Sequence, residues 1–179
     1  MNSTNPFPRL ITDRLVLRQL EMQDDGEIFF LRSDETVNEF LVSPIATSIQ
    51  DARDFIEKIN KSITKSESVY WAITVKGNNR LIGTICIWNI EREENKAEIG
   101  YVIHPNYAGK GFMSEAVAVV IEYGFGKMKL GCLDAVVHPE NKRSIILLER
   151  NGFTYKEASG NEVIFRLCNN MRNGQSREV

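Results

Sequence analysis

The residues best suited to chemistry form one run, residues 98–115, reading E-I-G-Y-V-I-H-P-N-Y-A-G-K-G-F-M-S-E. Gly109-Lys110-Gly111 stands just ahead of Phe112, where a helical pattern begins. A glycine-rich turn feeding a helix leaves the first peptide N–H groups pointing outward, and the helix dipole adds partial positive charge there. Glycine lets a ligand approach the backbone with no Cβ in between. Lys110 adds a formal charge and Ser114 a hydroxyl in the first turn. The guest that suits such a turn is a diphosphate; a plain tight turn has the same spacing. No G-x-x-x-x-G-K-[ST] can be read, and G-x-G-x-x-G fails because Ser114 stands at the third glycine. Earlier in the run, Glu98 is a carboxylate among apolar strand residues, suited to accept a proton near neutrality. A solvent-facing or ion-paired strand glutamate reads the same way.

Particular elements must hold these groups. Ala97, Ile99, Tyr101 and Ile103 alternate with Glu98, Gly100 and Val102, the period of a strand, which Pro105 and Asn106 stop. Met113, Ala116, Val117, Val120, Ile121 and Phe125 recur at helical spacing. Upstream, residues 10–20 predict a first strand. Asp24 and Asp25 cap a helix to about Arg32, and residues 36–41 give a short helical piece. Residues 48–65 form a helix opened by a near capping box, Ser48 with Asp51. Residues 70–75 and 81–89 pair around Gly77-Asn78-Asn79. Downstream, residues 133–138 predict a buried strand, Asn141 caps a helix to Arg150, and residues 153–157 and 162–167 a last hairpin. Trp71 and Trp88 read as core, and His104 as structural. This order predicts an α+β fold, one mixed sheet with helices on its faces.

With 179 residues, the chain suits a single domain with a buried core. A loose N-terminus and a polar C-terminal tail flank a core of about residues 9–167. Net charge is −2, so no basic field invites nucleic acid. Cys86, Cys132 and Cys168 are odd in number and form no C-x-x-C, which suggests neither a disulfide framework nor a zinc site. Cys86 and Cys132 read as buried thiols. With only two histidines, a His-rich metal centre is not expected. No secretory pattern or membrane-length apolar run is present, so a reducing cytoplasm is the expected location.

The wording around the turn resembles the GNAT acetyltransferases, whose pyrophosphate loop follows Q/R-x-x-G-x-G/A. The corresponding window is Ala108-Gly109-Lys110-Gly111-Phe112-Met113. Gly111 matches, while Ala108 and Met113 depart from the pattern. E-I-G-Y and H-P-x-Y-x-G-K-G-F-M-S-E-A, with T-D-R-L-V-L-R near the start, look like the branch that includes ribosomal-protein N-terminal acetyltransferases. The resemblance spans about residues 9–167.

It implies a mostly antiparallel mixed sheet whose fourth and fifth strands splay apart to admit the pantetheine arm of acetyl-CoA. It implies transfer of an acetyl group to a primary amine by direct attack on the thioester, with acetyl-CoA as co-substrate and no metal. Tyr101, Val102 and Ile103 would offer backbone groups to pantetheine, and Gly109, Lys110, Gly111, Phe112, Met113 and Ser114 would hold the diphosphate. Glu98 would be the general base. Asn141 would face pantetheine or substrate, and Ser144 would protonate the CoA thiolate. The tyrosine that many relatives carry seven residues after the asparagine is Leu148 here. Partners would be acetyl-CoA and an amine, without nucleic acid or membrane, for a monomer or homodimer. The altered loop positions leave a second reading, a non-catalytic acyl-CoA-binding module.

Overall fold

The computed structural model of the protein describes residues 7–41 and 44–169. The expected loose N-terminus and polar tail fall largely outside these residues. The chain runs β1 (Leu10–Ile11), β2 (Leu15–Arg18), α1 (Asp25–Ser33), α2 (Glu35–Asn38), α3 (Ile49–Thr64), β3 (Val69–Val75), β4 (Leu81–Glu91) and β5 (Lys96–Ile103). It continues α4 (Phe112–Gly126), β6 (Cys132–Val137), α5 (Lys142–Arg150), β7 (Thr154–Ser159) and β8 (Glu162–Cys168). Short 3-10 turns at Met22–Asp24 and Pro105–Tyr107 precede α1 and follow β5.

The strands form one mixed sheet in the order β1-β2-β3-β4-β5-β6-β8-β7. Every neighbouring pair is antiparallel except β5 with β6. Both faces are covered, as expected of an α+β fold. Trp71 and Ile73 of β3 join the cluster built on Met113, Ala116, Val117 and Val120 of α4. Ala72, between them, joins the cluster of Ile28 and Leu31 from α1 with Ala52 and Ile56 from α3. Strand alternation thus feeds two cores from one sheet.

Two expectations change. The first strand is two short ones, because Thr12 to Arg14 turn the chain and Thr12 Oγ1 accepts the backbone N–H of Leu15 at 2.9 Å. The fourth and fifth strands of the sequence reading are therefore β5 and β6. Asp24 stands at the α1 N-cap position but makes no cap bond. Its carboxylate instead accepts from both terminal guanidinium nitrogens of buried Arg18, at 2.7 and 2.8 Å, and from the Glu21 N–H at 2.8 Å. A buried guanidinium needs a counter-charge more than an exposed helix start needs a cap. Ser48 and Asp51 do form the expected capping box. Among the described residues no helix is long and apolar enough to cross a membrane.

Candidate functional site

The site lies where β5 and β6 part. Their parallel ladder has only three rungs, Lys96 with Cys132, Ala97 with Leu133, and Glu98 with Asp134. Among the described residues, the β5 edge facing β6 has no strand partner from Ile99 to Ile103, while its other edge pairs with β4 as far as Gly83 opposite Ile103. β6 continues against β8 to Val137 opposite Val163. The expected splay is present, and it leaves a run of strand backbone able to pair with an extended ligand arm. Tyr101, Val102 and Ile103 all lie on that run.

The glycine turn sits at the C-terminal end of β5. Gly109 and Gly111 have φ of +74° and +79°, the left-handed region that only glycine enters without cost. Gly111 is the N-cap of α4 and no side chain caps the helix. Among the described residues, no hydrogen bond engages the backbone N–H of Gly109, Lys110, Gly111, Phe112, Met113 or Ser114. Six consecutive donors at a helix mouth make a cradle for an anion. The Met113 side chain is buried in the core, so it offers only its backbone. Ser114 Oγ accepts from Asn151 Nδ2 at 3.3 Å, which leaves its own proton to donate. The Lys110 ammonium stands 5.6 Å from the Tyr107 ring centroid.

An unexpected brace holds this turn. Arg14, from the β1–β2 turn, donates through Nε to Glu115 Oε2 at 2.7 Å and through NH1 to the Lys110 carbonyl at 3.0 Å. Its guanidinium lies 4.6 Å from the Phe112 ring centroid. Glu115 also accepts from the Thr12 hydroxyl and from the Arg14 N–H at 2.9 Å. Burial opposes the Glu115 charge, but these donors together hold its carboxyl below the usual range.

Glu98 occupies the last rung of the β5–β6 ladder, at the apex of the splay, and is half-buried. Asn89 Nδ2 donates to its Oε1 at 2.7 Å. Asn89 can do so because β4 bulges between Trp88 and Glu91, with Asn89 at φ +46°. Beside Glu98, Asp134 is neutralised by Arg166 through bonds of 2.5 and 2.6 Å. Trp71 is core as expected, but Trp88 is not: it pairs with Glu98 across β4–β5 and is 49% exposed.

Asn141 is the N-cap of α5, its Oδ1 accepting the Ser144 N–H at 3.1 Å. Ser144 then points its hydroxyl across the splay to the Tyr101 hydroxyl, 2.7 Å away. Burial pushes the Tyr101 phenol up to about 12, the Ser144 bond pulling the other way. His104 is structural, stacked 4.4 Å from Phe30 with Nδ1 accepting the Asn106 N–H at 3.1 Å. Burial likewise pushes the Cys86 thiol up to about 12. Cys132 is not a thiol: it is bonded to Cys168, its direct partner across β6–β8, with the two Cα atoms 4.1 Å apart. Thirty-six residues separate them, so only the strand register brings them together.

Residues 14–154 match the family model described as the acetyltransferase (GNAT) domain. The chain is 38% identical over 144 residues to the uncharacterized N-acetyltransferase p20 of Bacillus licheniformis, covering 80% of this chain and 81% of that protein. The ribosomal-protein-S5-alanine acetyltransferase of Vibrio fischeri superposes with a TM-score of 0.80 at 19% identity, over 92% of this chain and 98% of that one. The microcin C7 self-immunity acetyltransferase MccE, solved with acetyl-CoA and AMP, gives 0.75 at 20% identity, over 88% and 93%.

Proposed function

The chain belongs to the GNAT acetyltransferase family, and from that premise we propose that it moves an acetyl group from acetyl-CoA to a primary amine by direct attack on the thioester. The observation that carries this reading is the run of six unengaged N–H groups at the mouth of α4, next to the unpaired edge of β5. Gly109, Lys110, Gly111, Phe112, Met113 and Ser114 would hold the diphosphate. The edge at Tyr101, Val102 and Ile103 would pair with pantetheine, with Asn141 at the opposite wall. The thioester then lies in the gap, between two differently equipped faces.

Amide formation requires a neutral amine, and Glu98 at the apex would take its proton, directly or through water. Ser144, on the α5 side, would give a proton to the departing sulfur. The exposed Trp88 indole beside Glu98 suits an incoming ammonium, which an aromatic face attracts before the carboxylate deprotonates it. The acceptor is a protein N-terminus or a small-molecule amine. Acetyl-CoA and the amine are the partners of this reading, with neither nucleic acid nor membrane, for a monomer or homodimer. A cytoplasmic location belongs to the same proposal, and the Cys132–Cys168 bond is the observation that weighs against it.

Incubation with acetyl-CoA and pooled amines, peptides included, followed by thiol release, tests the reading. Turnover with an acceptor supports it. The departures at Ala108 and Met113 favour a second reading, an acyl-CoA-binding module, and tight binding of CoA without turnover on any acceptor would establish that one instead.

A further inference from the structure

The Tyr101 and Ser144 hydroxyls meet at 2.7 Å across the opening between β5 and α5. Each residue is fixed by its own element. Tyr101 leaves β5 on the face that packs against α4. Ser144 is set in the first turn of α5 by the Asn141 cap. Glu98 lies three residues before Tyr101, and strand alternation puts it on the other face of the sheet. The arrangement therefore has a carboxylate on one side of the gap and a hydroxyl pair on the other. Two bonded hydroxyls hold two hydrogens. When the phenol donates to the serine oxygen, the serine hydrogen is left to donate onward.

We propose that Tyr101 is the source of the proton that reaches the departing CoA sulfur, with Ser144 as the relay between them. The proposal rests on the acetyl-transfer reading above. As the tetrahedral intermediate collapses, the C–S bond breaks and its electron pair goes to sulfur. Sulfur takes the Ser144 hydrogen, and Ser144 Oγ takes the Tyr101 hydrogen in the same movement. The ammonium loses two protons on its way to the amide: Glu98 passes the first to solvent before attack, and the second, from the nitrogen of the tetrahedral intermediate, returns to the tyrosinate through solvent, so the cycle closes with amide, free thiol and one proton released. A serine acting alone would be left as an alkoxide, a far stronger base than a thiolate. Passing the charge on to a phenol lowers that cost, since a phenol is a much stronger acid than an alkyl alcohol. Tyr101 is thus a positioning residue that works through Ser144. Leu148, one turn beyond Ser144 on α5, has no proton to give, and the phenol here comes from the opposite wall.

The test is single-turnover thiol release with saturating acetyl-CoA and the fastest amine from the pooled screen, for the parent, Tyr101→Phe, Ser144→Ala and the double variant. Because a thiolate leaves moderately well unaided, each single change is expected to slow release about tenfold. The double variant should be no slower than the slower single one, as for residues acting as a unit. In mixtures of H2O and D2O the parent rate should curve with deuterium content, as for two protons in flight, and the Tyr101→Phe rate should be linear. Acetyl-CoA affinity and melting temperature should stay close to the parent's. An unchanged Tyr101→Phe rate overturns the relay, as does a loss confined to acetyl-CoA affinity, which marks a tether closing the splay. No transfer by the parent to any amine overturns this proposal and the function together; transfer by the parent with a silent Tyr101→Phe overturns this proposal alone.

Discussion

Arg14 and Glu115, 101 positions apart in sequence, meet at 2.7 Å, and the same guanidinium holds the Lys110 carbonyl at 3.0 Å. The turn proposed to grip diphosphate is thus pinned from the far end of the sheet. Arg14→Ala should raise the KM for acetyl-CoA about tenfold with a smaller change in kcat, because a loosened cradle must be ordered on binding. Initial rates at varied acetyl-CoA check this; an unchanged KM removes the brace from the account.

The same pair gives a pH prediction. The Glu115 carboxyl lies below its ordinary value of 4.5 in the fold. A depressed carboxyl contributes stability that is present above the unfolded value and lost as pH falls through the folded one. The stability gap between the parent and Glu115→Gln should therefore be constant from pH 6 to 8 and close below about 4.5. Urea melts of both proteins across that range measure it.

Glu98→Gln should lower kcat about a hundredfold, at the modest end for a general base, and leave acetyl-CoA binding nearly as it was. Asn89→Ala, which removes the donor to Glu98 at 2.7 Å, should cost severalfold in kcat. Steady-state rates for both variants are the check, and parent-like turnover and pH–rate profile in Glu98→Gln would show that another group takes the proton.

Much of this site was legible from local pattern, and the rest was not. Gly109 and Gly111 stand out because a left-handed turn before an amphipathic helix leaves a composition signal within a few residues. Ser48 and Asp51 were readable for the same reason. The Arg14–Glu115 brace, the Cys132–Cys168 bond and the Tyr101–Ser144 contact depend on strand order and register, which no short window contains. Trp88 misled because an indole in an apolar strand normally faces the core, whereas here it stands where the β4 bulge begins and is 49% exposed. Asp24 misled because a helix-capping residue and a buried counter-ion look alike until the Arg18 partner is found.

The buried Arg18–Asp24 pair predicts a stability effect remote from the site. Their side chains are 10% and 3% exposed. Asp24→Ala strands a guanidinium in the core and should cost about 3 kcal/mol, a fall of roughly 6–12 °C in melting temperature for a chain of this size. Calorimetry decides; a shift of less than about 2 °C would mean that the Asn79 Oδ1 and carbonyl oxygen, which accept from Arg18 at 2.8 and 2.9 Å, suffice for the guanidinium.

The Cys132–Cys168 link ties β6 to β8 beside the closed end of the splay. Reduction should lower stability by about 2–4 kcal/mol. Cys168→Ser should show the lower value from the start and no response to reductant in denaturant melts. Equal melts with and without reductant in the parent would remove the link from the account.

The measurement closest to the centre of the account is a crystal structure with CoA bound. Diphosphate oxygens should lie within hydrogen-bond distance of N–H groups between Gly109 and Ser114, and pantetheine should run along β5 from Ile103 toward Ile99 with its sulfur near Ser144. A coenzyme seated elsewhere, or one whose diphosphate leaves those six donors untouched, would contradict it.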